Sequence, residues 1–382
     1  MLQVFTLSPH RSREWIGVLE RSAGFDFYHT PGYHSLAEAR GEGDAGLFGV
    51  EDGRDFVAVP LLVRPIAGVE SPADGTGRSE DERGWRDATS VYGYPGPVAS
   101  RPNPPAELLA GFRDALTAEL RRRRVVALFS RLHPLLPQES LLTGMGEVVQ
   151  GGETVSIDLA LPAEERRRRY RTSHRYDVSR LRGLGFTCLP DPEQSRLDGF
   201  LDLYRATLDR VDGGANYSFE RQELERLLTL PDAEAELMIC RAGGGGAPDV
   251  ETDLACAGIF LYCHGLVQYH LAATGAAHRR RSPLKLLVDA AADRAAARGA
   301  RVLHLGGGVG GADDSLLHFK RGFSDRRHRF ATWRWVVDPA AYAELCRRRG
   351  VPAEAATDPA RGFFPAYRRP APAAVAGAGV PT

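Results

Sequence analysis

Three apolar runs in close succession constrain the second half of this chain most. Ala235 to Arg241, Ala255 to Cys263 and Leu266 to Ala273 read as strands of an antiparallel meander. A helix pattern follows from Ser282 to Arg298, with Ser282 as N-cap and Pro283 at the first helical position, closed by Gly299. Val302-Leu303-His304-Leu305 is then a short buried strand, Asp313 to Arg321 a helix, and Ala331 to Val337 a last strand with alternating aromatics. Helix patterns also run from Ser195 to Arg210 and from Phe219 to Leu228. The order is helices, meander, helix, strand, helix, strand.

The first half repeats this order loosely, without visible sequence identity. Arg13 to Ala23 is a helix pattern, and Phe25 to Pro31 an aromatic loop. Gly46 to Val50 and Phe56 to Arg64 flank the acidic turn Glu51-Asp52-Gly53-Arg54 and form a hairpin. Gly68 to Arg86 reads as a polar loop, Ala106 to Arg124 as a helix, and Val125 to Ser130 as a buried strand. Thr154 to Leu159 is a strand that leads to Pro162 and a change of composition. The expected class is α/β (α+β): two tandem domains with mixed sheets over 1–152 and 153–329. The Pro/Ala-rich tail 365–382 is expected to be disordered.

At 382 residues the chain has room for two ordinary domains. Its formal net charge is zero, so a polyanion site must be a local patch. The five cysteines are odd in number and lack CxxC spacing, which favours neither a disulfide scaffold nor a zinc site, and no metal is expected. No run of about 18 apolar residues occurs, so no transmembrane segment is expected and the cytoplasm is the expected compartment. A monomer is the favoured state.

Of 49 basic residues only Lys285 and Lys320 are lysines. A chain that uses Arg almost everywhere keeps Lys where a compact ammonium is needed, or by chance of codon bias. Lys320 closes Leu317-His318-Phe319-Lys320, just after the glycine run Gly306-Gly307-Gly308. That run matches G-x-G-x-x-G through Gly311, yet only about 50 residues remain before the Pro-rich tail, too few for a dinucleotide-binding domain. A glycine turn before a helix can present N–H groups to an anion, or can simply turn the chain. Between 163 and 182 stand eight arginines against three carboxylates, with Tyr170, His174 and Tyr176 interleaved. This is a solvated helix face or a phosphate-binding patch, with Arg168, Arg171 and Arg175 as candidates. Arg279-Arg280-Arg281 lies between a strand and a helix, where acetyl-CoA-dependent GNAT enzymes carry a glycine-rich pyrophosphate loop; the arginines are here and the glycines are not.

Taken together, YGYPGP (92–97), VSIDLALPAEE (155–165), LYRATLDR (203–210), VQYHLAAT (267–274), HLGGG (304–308) and FKRGF (319–323) resemble the Fem-like aminoacyltransferases of the peptidoglycan bridge family. The resemblance implies two GNAT-like domains, the first completed by a late strand within 330–340, and transfer of an amino acid from aminoacyl-tRNA to an amine, with no cofactor; no long insertion between Arg210 and Ala235 leaves room for a coiled-coil arm. Phe319 and Lys320 match the pair lining the channel for the tRNA acceptor end. Asp87, Tyr92 and Tyr94 match the loop near the acceptor. Arg210 and Tyr217 match the second-domain cleft, and Tyr269 an aromatic of its central strand. Gly307 and Gly308 are expected at the substrate. The expected roles are charge stabilisation by Lys320, adenine stacking by Phe319 and proton acceptance by Asp87. The acceptor is a peptidoglycan precursor or a natural-product amine. The alternative is acyl-CoA-dependent N-acylation of a sugar or small amine, with acetyl-CoA as co-substrate.

Overall fold

The computed structural model describes residues 2–67, 84–210, 219–243, 254–352, 354 and 358–370. The strands of the first half are β1 (Gln3–Leu7), β2 (Asp44–Glu51), β3 (Phe56–Pro65), β4 (Arg86–Thr89), β5 (Val98–Ala99) and β6 (Val125–Arg131). They continue as β7 (Glu147–Asp158), β8 (Thr187–Pro190), β9 (Glu234–Arg241), β10 (Leu254–Cys263), β11 (Leu266–Thr274), β12 (Val302–Gly307) and β13 (Arg327–Val336). All belong to one mixed sheet in the order β1-β2-β3-β4-β6-β13-β7-β12-β11-β10-β9-β8, with β5 on β3.

The two halves follow one plan. β2, β3 and β4 form an antiparallel meander, the helix Ala106–Arg122 crosses over, and β6 returns parallel to β4. β9, β10 and β11 form the second meander, the helix Leu284–Ala297 crosses over, and β12 returns parallel to β11. The closing strands are exchanged. β7 follows the first half in the chain but pairs with β12, whereas β13 follows the second half and pairs with β6. β7 and β13 also pair with each other, which fuses the halves into one sheet.

Local chemistry explains the turns. His264 and Gly265, between β10 and β11, both have positive φ (47° and 79°), as a two-residue hairpin twisting with its strands requires. In the β2–β3 turn the Asp52 carboxylate accepts from the N–H groups of Arg54 and Asp55. One hydrophobic layer draws on both halves, from Trp15, Phe27 and Leu62 to Phe200, Leu224 and Ile259. The opposite face carries a separate layer in each half, under Ala106–Arg122 and under Leu284–Ala297.

Several sequence expectations need correction. The helices Pro31–Ala39 and Pro339–Arg348 are additional. The basic segment is two helices, Ala163–Arg168 and Thr172–Gly183. Ser282 is left-handed (φ 54°) and does not cap through its side chain; the crossover helix begins after Pro283. The tail does not begin at residue 365, because Ala366 and Tyr367 are buried against Tyr342 and Cys346. Residues 371–382 lie outside the described residues, as does most of the expected loop 68–86.

Candidate active site

Parallel strands separated by a crossover helix need not stay paired, and here both parallel pairs fork. β11 and β12 pair over Leu266–Gln268 and Val302–His304 only. Beyond that point Tyr269 to Ala272 and Leu305 to Gly308 diverge and line a cleft of about 320 Å³. β4 and β6 separate past Thr89 and Phe129, and Tyr92, Tyr94 and Arg131 from their extensions reach the same cleft. The helix Leu197–Arg210 supplies Tyr204 and Leu208, and β13 supplies Phe330.

The glycine run works through backbone geometry. Gly306 has φ +73° where β12 is irregularly paired to β7, and a Cβ there would stand 3.3 Å from the Lys320 amine. A Cβ on Gly308 would lie 2.1 Å from the carbonyl of Ala312. The expected anion cradle is largely taken by the protein itself. Asp314 caps the short helix Ser315–Lys320 by accepting from Leu317 N at 2.8 Å, and its other oxygen accepts from Val309 N at 2.9 Å.

That six-residue helix turns Leu316 and Lys320 into the cleft, four residues apart on one face. Lys320 is buried and its Nζ donates to the carbonyl of Gly307 at 2.7 Å, 5.9 Å from the centre of the Tyr269 ring. Burial penalises the ammonium and pushes its pKa down to about 7, against a smaller opposing pull from Asp314. Lys320 therefore changes charge near neutral pH. The described lining contains no carboxylate; its charged groups are Lys320 and Arg131. His270 joins the aromatic wall beside Tyr92, and burial lowers its pKa to about 4, which keeps it neutral.

Beneath the cleft a buried polar chain links the halves. Asp26 accepts from Gln268 Nε2 at 2.6 Å and from His133 Nε2 at 3.1 Å, while Gln268 Oε1 accepts from His304 Nδ1 at 2.7 Å. The amide of Leu135 donates to His133 Nδ1, which fixes that ring's tautomer.

Of the residues expected from sequence, Lys320, Tyr92, Tyr94, Tyr269, Gly307 and Gly308 converge on the cleft. Asp87 does not: it is fully buried in β4, held by Arg64 at 2.7 Å and by Arg368, with Tyr367 donating at 3.4 Å. A carboxylate so engaged and so enclosed is a structural anchor for the C-terminal segment, not a proton acceptor in the cleft. Phe319 points away too, packing on His174 (5.7 Å) and Phe323 (5.3 Å). Its position on the helix, about 100° from Lys320, forces this. Arg210 ends its helix exposed to solvent, and Tyr217 lies outside the described residues.

Part of the excess positive charge at 163–182 is neutralised within the fold. Arg166, Arg167 and Arg182 pair with Asp289 and Asp293 of the crossover helix. Arg168, Arg171 and Arg175 remain on the surface, as do Arg279, Arg280 and Arg281 on a 3-10 turn, and none of the six lines the cleft. Lys285 is ion-paired with Asp177 at 2.6 Å. Sequence reasoning missed Tyr28, Arg131, Tyr204, His270 and Phe330 at the cleft. Tyr28 and His270 sat in segments already noted for aromatics; Arg131 carried no local signal. A larger hollow of about 860 Å³ lies by the C-terminal segment, but three of its guanidinium groups are engaged, Arg349 with Ala67 O, Arg361 with Asp358 and Arg368 with Asp87.

Residues 164–321, which include the glycine run and Lys320, match the acetyltransferase (GNAT) domain family. FemX is similar in structure over 86% of this chain and 96% of that one, at a TM-score of 0.61 and 12% identity. The C-terminal DUF2156 domain of a protein assigned as a lysylphosphatidylglycerol synthetase of Agrobacterium fabrum is similar over 85% and 91%, at 0.50 and 14% identity. A conserved protein of unknown function from Bacteroides thetaiotaomicron is similar over 88% and 100%, at 0.52 and 10% identity. No curated protein matches the sequence. The class these findings define is a GNAT-like acyltransferase fold in two tandem units.

Proposed function

We propose that this protein is an aminoacyltransferase that moves an amino acid from aminoacyl-tRNA to an amine, on a peptidoglycan precursor or a small natural product. The observation that carries the reading is Lys320: a buried amine poised near neutrality in a cleft whose described walls hold no carboxylate. In this reaction the amine nitrogen attacks the ester carbonyl, a C–N bond forms, the ester C–O bond breaks, and the ribose oxygen leaves with the proton. Negative charge develops on the carbonyl oxygen. Lys320 in its ammonium form, held by Gly307 O at the buried end of the cleft, is suited to stabilise it, and two reactants aligned in a preformed cleft gain the advantage of proximity. Fem-like resemblance of the sequence motifs, and the likeness in fold to FemX, support the same reading. The exposed arginines 168, 171, 175 and 279–281 are the candidate contacts for tRNA phosphates.

The match to the acetyltransferase (GNAT) model favours a second reading, N-acylation from an acyl-CoA. It would use the turn 276–281 before the crossover helix, where a pyrophosphate would meet arginine side chains and not a glycine loop.

The test is a transfer assay with total tRNA charged with labelled amino acids, a panel of amines including peptidoglycan precursors, and a parallel acetyl-CoA arm. Label passing from tRNA to an amine, and lost in Lys320→Ala, is the expected result. Turnover of acetyl-CoA alone would replace this reading with the second.

A further inference from the structure

Arginines of this chain mostly find carboxylates or carbonyls: Arg64, Arg166, Arg167, Arg182, Arg294 and Arg321 are each held by one or more. Arg131 is different. It ends β6, half-buried, its side chain lines the cleft, and its guanidinium has no hydrogen bond or ion pair among the described residues. It stands opposite Thr332 on β13, two residues along that strand from Phe330, whose ring is 5.4 Å from that of Tyr94. The guanidinium nitrogens still meet solvent in the cleft, and a half-buried, partly hydrated guanidinium gains by pairing with an anion that brings matching acceptors. The cleft also holds a second unmet polar atom. His270 Nε2 is buried without a hydrogen-bond partner, and its ring faces Tyr28, Tyr33 and Tyr92.

We propose that the cleft recognises a substrate carrying an oxyanion, a carboxylate or a phosphate, which pairs with Arg131, while an apolar or aromatic body packs on Tyr28, Tyr94 and Phe330. The guanidinium fork matches either oxyanion through two parallel N–H donors. Lys320 is the only other charged group of the described lining, and with no carboxylate there the local field favours an anion and opposes a cationic ligand. His270 Nε2 then meets a polar atom of the substrate. This assignment rests on the cleft being the reaction site and says which member of a substrate series it selects: an acceptor amine with an acidic group over its neutral amide or alcohol analogue.

The test is binding, so it does not depend on turnover. Phenyl phosphate, phenylacetate and benzyl alcohol are titrated into the full-length protein, followed by ligand-observed NMR, for wild type, Arg131→Gln and Arg131→Lys. The expected result is an anion preference of about tenfold over the alcohol, lost in Arg131→Gln and partly kept in Arg131→Lys, with an unchanged circular dichroism spectrum. Phenyl phosphate binding above phenylacetate assigns the oxyanion as phosphate; the reverse assigns a carboxylate. Equal binding of all three, absence of binding, or a preference that survives in Arg131→Gln would overturn the proposal. If anion binding holds while transfer from tRNA fails, the aminoacyltransferase reading falls and the anion site stands.

Discussion

The two forks of this sheet start from the same topology and end in opposite states. In the first half the chain past β4 and β6 is stitched shut. Gln138 Nε2 donates to the carbonyls of Pro95 (2.7 Å) and Pro97 (2.9 Å), and its Oε1 accepts from His133 N at 2.6 Å. In the second half the chain past β11 and β12 stays open: Lys320 Nζ donates once, to Gly307 O, and His270 Nε2 has no partner. A closed fork adds buried hydrogen bonds and rigidity. An open one leaves polar atoms that water or a ligand can meet. On the proposed reading the duplicated architecture divides into a supporting half and a reacting half, with the supporting half contributing Tyr92, Tyr94 and Arg131 across the boundary.

The sharpest way to break this contrast is at Lys320. Lys320→Met should lower transfer by about 100- to 1,000-fold, the usual effect of removing one oxyanion-stabilising donor. It should leave thermal stability equal or higher, since a buried amine with a depressed pKa opposes folding. A variant that loses both activity and stability would make Lys320 a structural residue.

The first fork should show the reverse. Gln138→Ala leaves the buried groups of Pro95, Pro97 and His133 without partners, and should cost about 2–3 kcal/mol in denaturant unfolding. The maximal transfer rate at a temperature where the variant is folded should stay within about twofold. A large loss of rate there would place chemistry in both forks.

Matched glycines sharpen the comparison. Gly96 (φ +57°) and Gly306 (φ +73°) both hold left-handed backbone, and a Cβ would stand 2.1 Å from Gln138 Oε1 in one case and 3.3 Å from Lys320 Nζ in the other. Gly306→Ala should cost about 1–2 kcal/mol of stability, and Gly96→Ala more, because its Cβ would also displace the hydrogen-bonded Gln138 amide. Only Gly306→Ala should also disturb transfer, by displacing the amine.

A further effect, on stability alone, is in acid. His29 is pushed down to about 3, and His34 and His270 to about 4, chiefly by burial. Their folded-state pKa values lie below the unfolded value of about 6.5. Between about pH 6.5 and 4 the unfolded chain binds protons that the folded chain refuses, so stability should fall as pH drops through that window. Melting temperatures from pH 7 to pH 5 check this; a flat profile would mean that these rings gain protons without unfolding.

Much of the fold was legible because its signals are local. The β2–β3 hairpin carries its turn chemistry at Asp52 and Gly53, the β9–β10–β11 meander its apolar runs, and the crossover helix its closing Gly299. The exchange of β7 and β13 carries no local signal and was expected only through the family resemblance, because which strand completes which half is decided by packing between distant segments. At the site, Lys320 stood out in an arginine-rich chain and the glycine run marked its neighbourhood. Asp87 and Phe319 misled because adjacency in a motif does not fix the face: one step along the helix separates Phe319 from the cleft, and Asp87 meets arginines that arrive from residues 64 and 368. Asp26, His133, Gln268 and His304 come together from four separate segments, and no spacing announces them.

Because the chain has only two lysines, the poised state of Lys320 can be read directly. Selective 15N labelling of lysine gives two side-chain signals to follow by NMR as pH changes, with Lys285, ion-paired to Asp177, distinguished by its substitution. The Lys320 signal should titrate with a midpoint near pH 7. It should shift to higher pH when phenyl phosphate is added, because a bound anion favours the ammonium. A midpoint near the ordinary lysine value of about 10.4, unmoved by the anion, would contradict the assignment of the second fork as the reacting half.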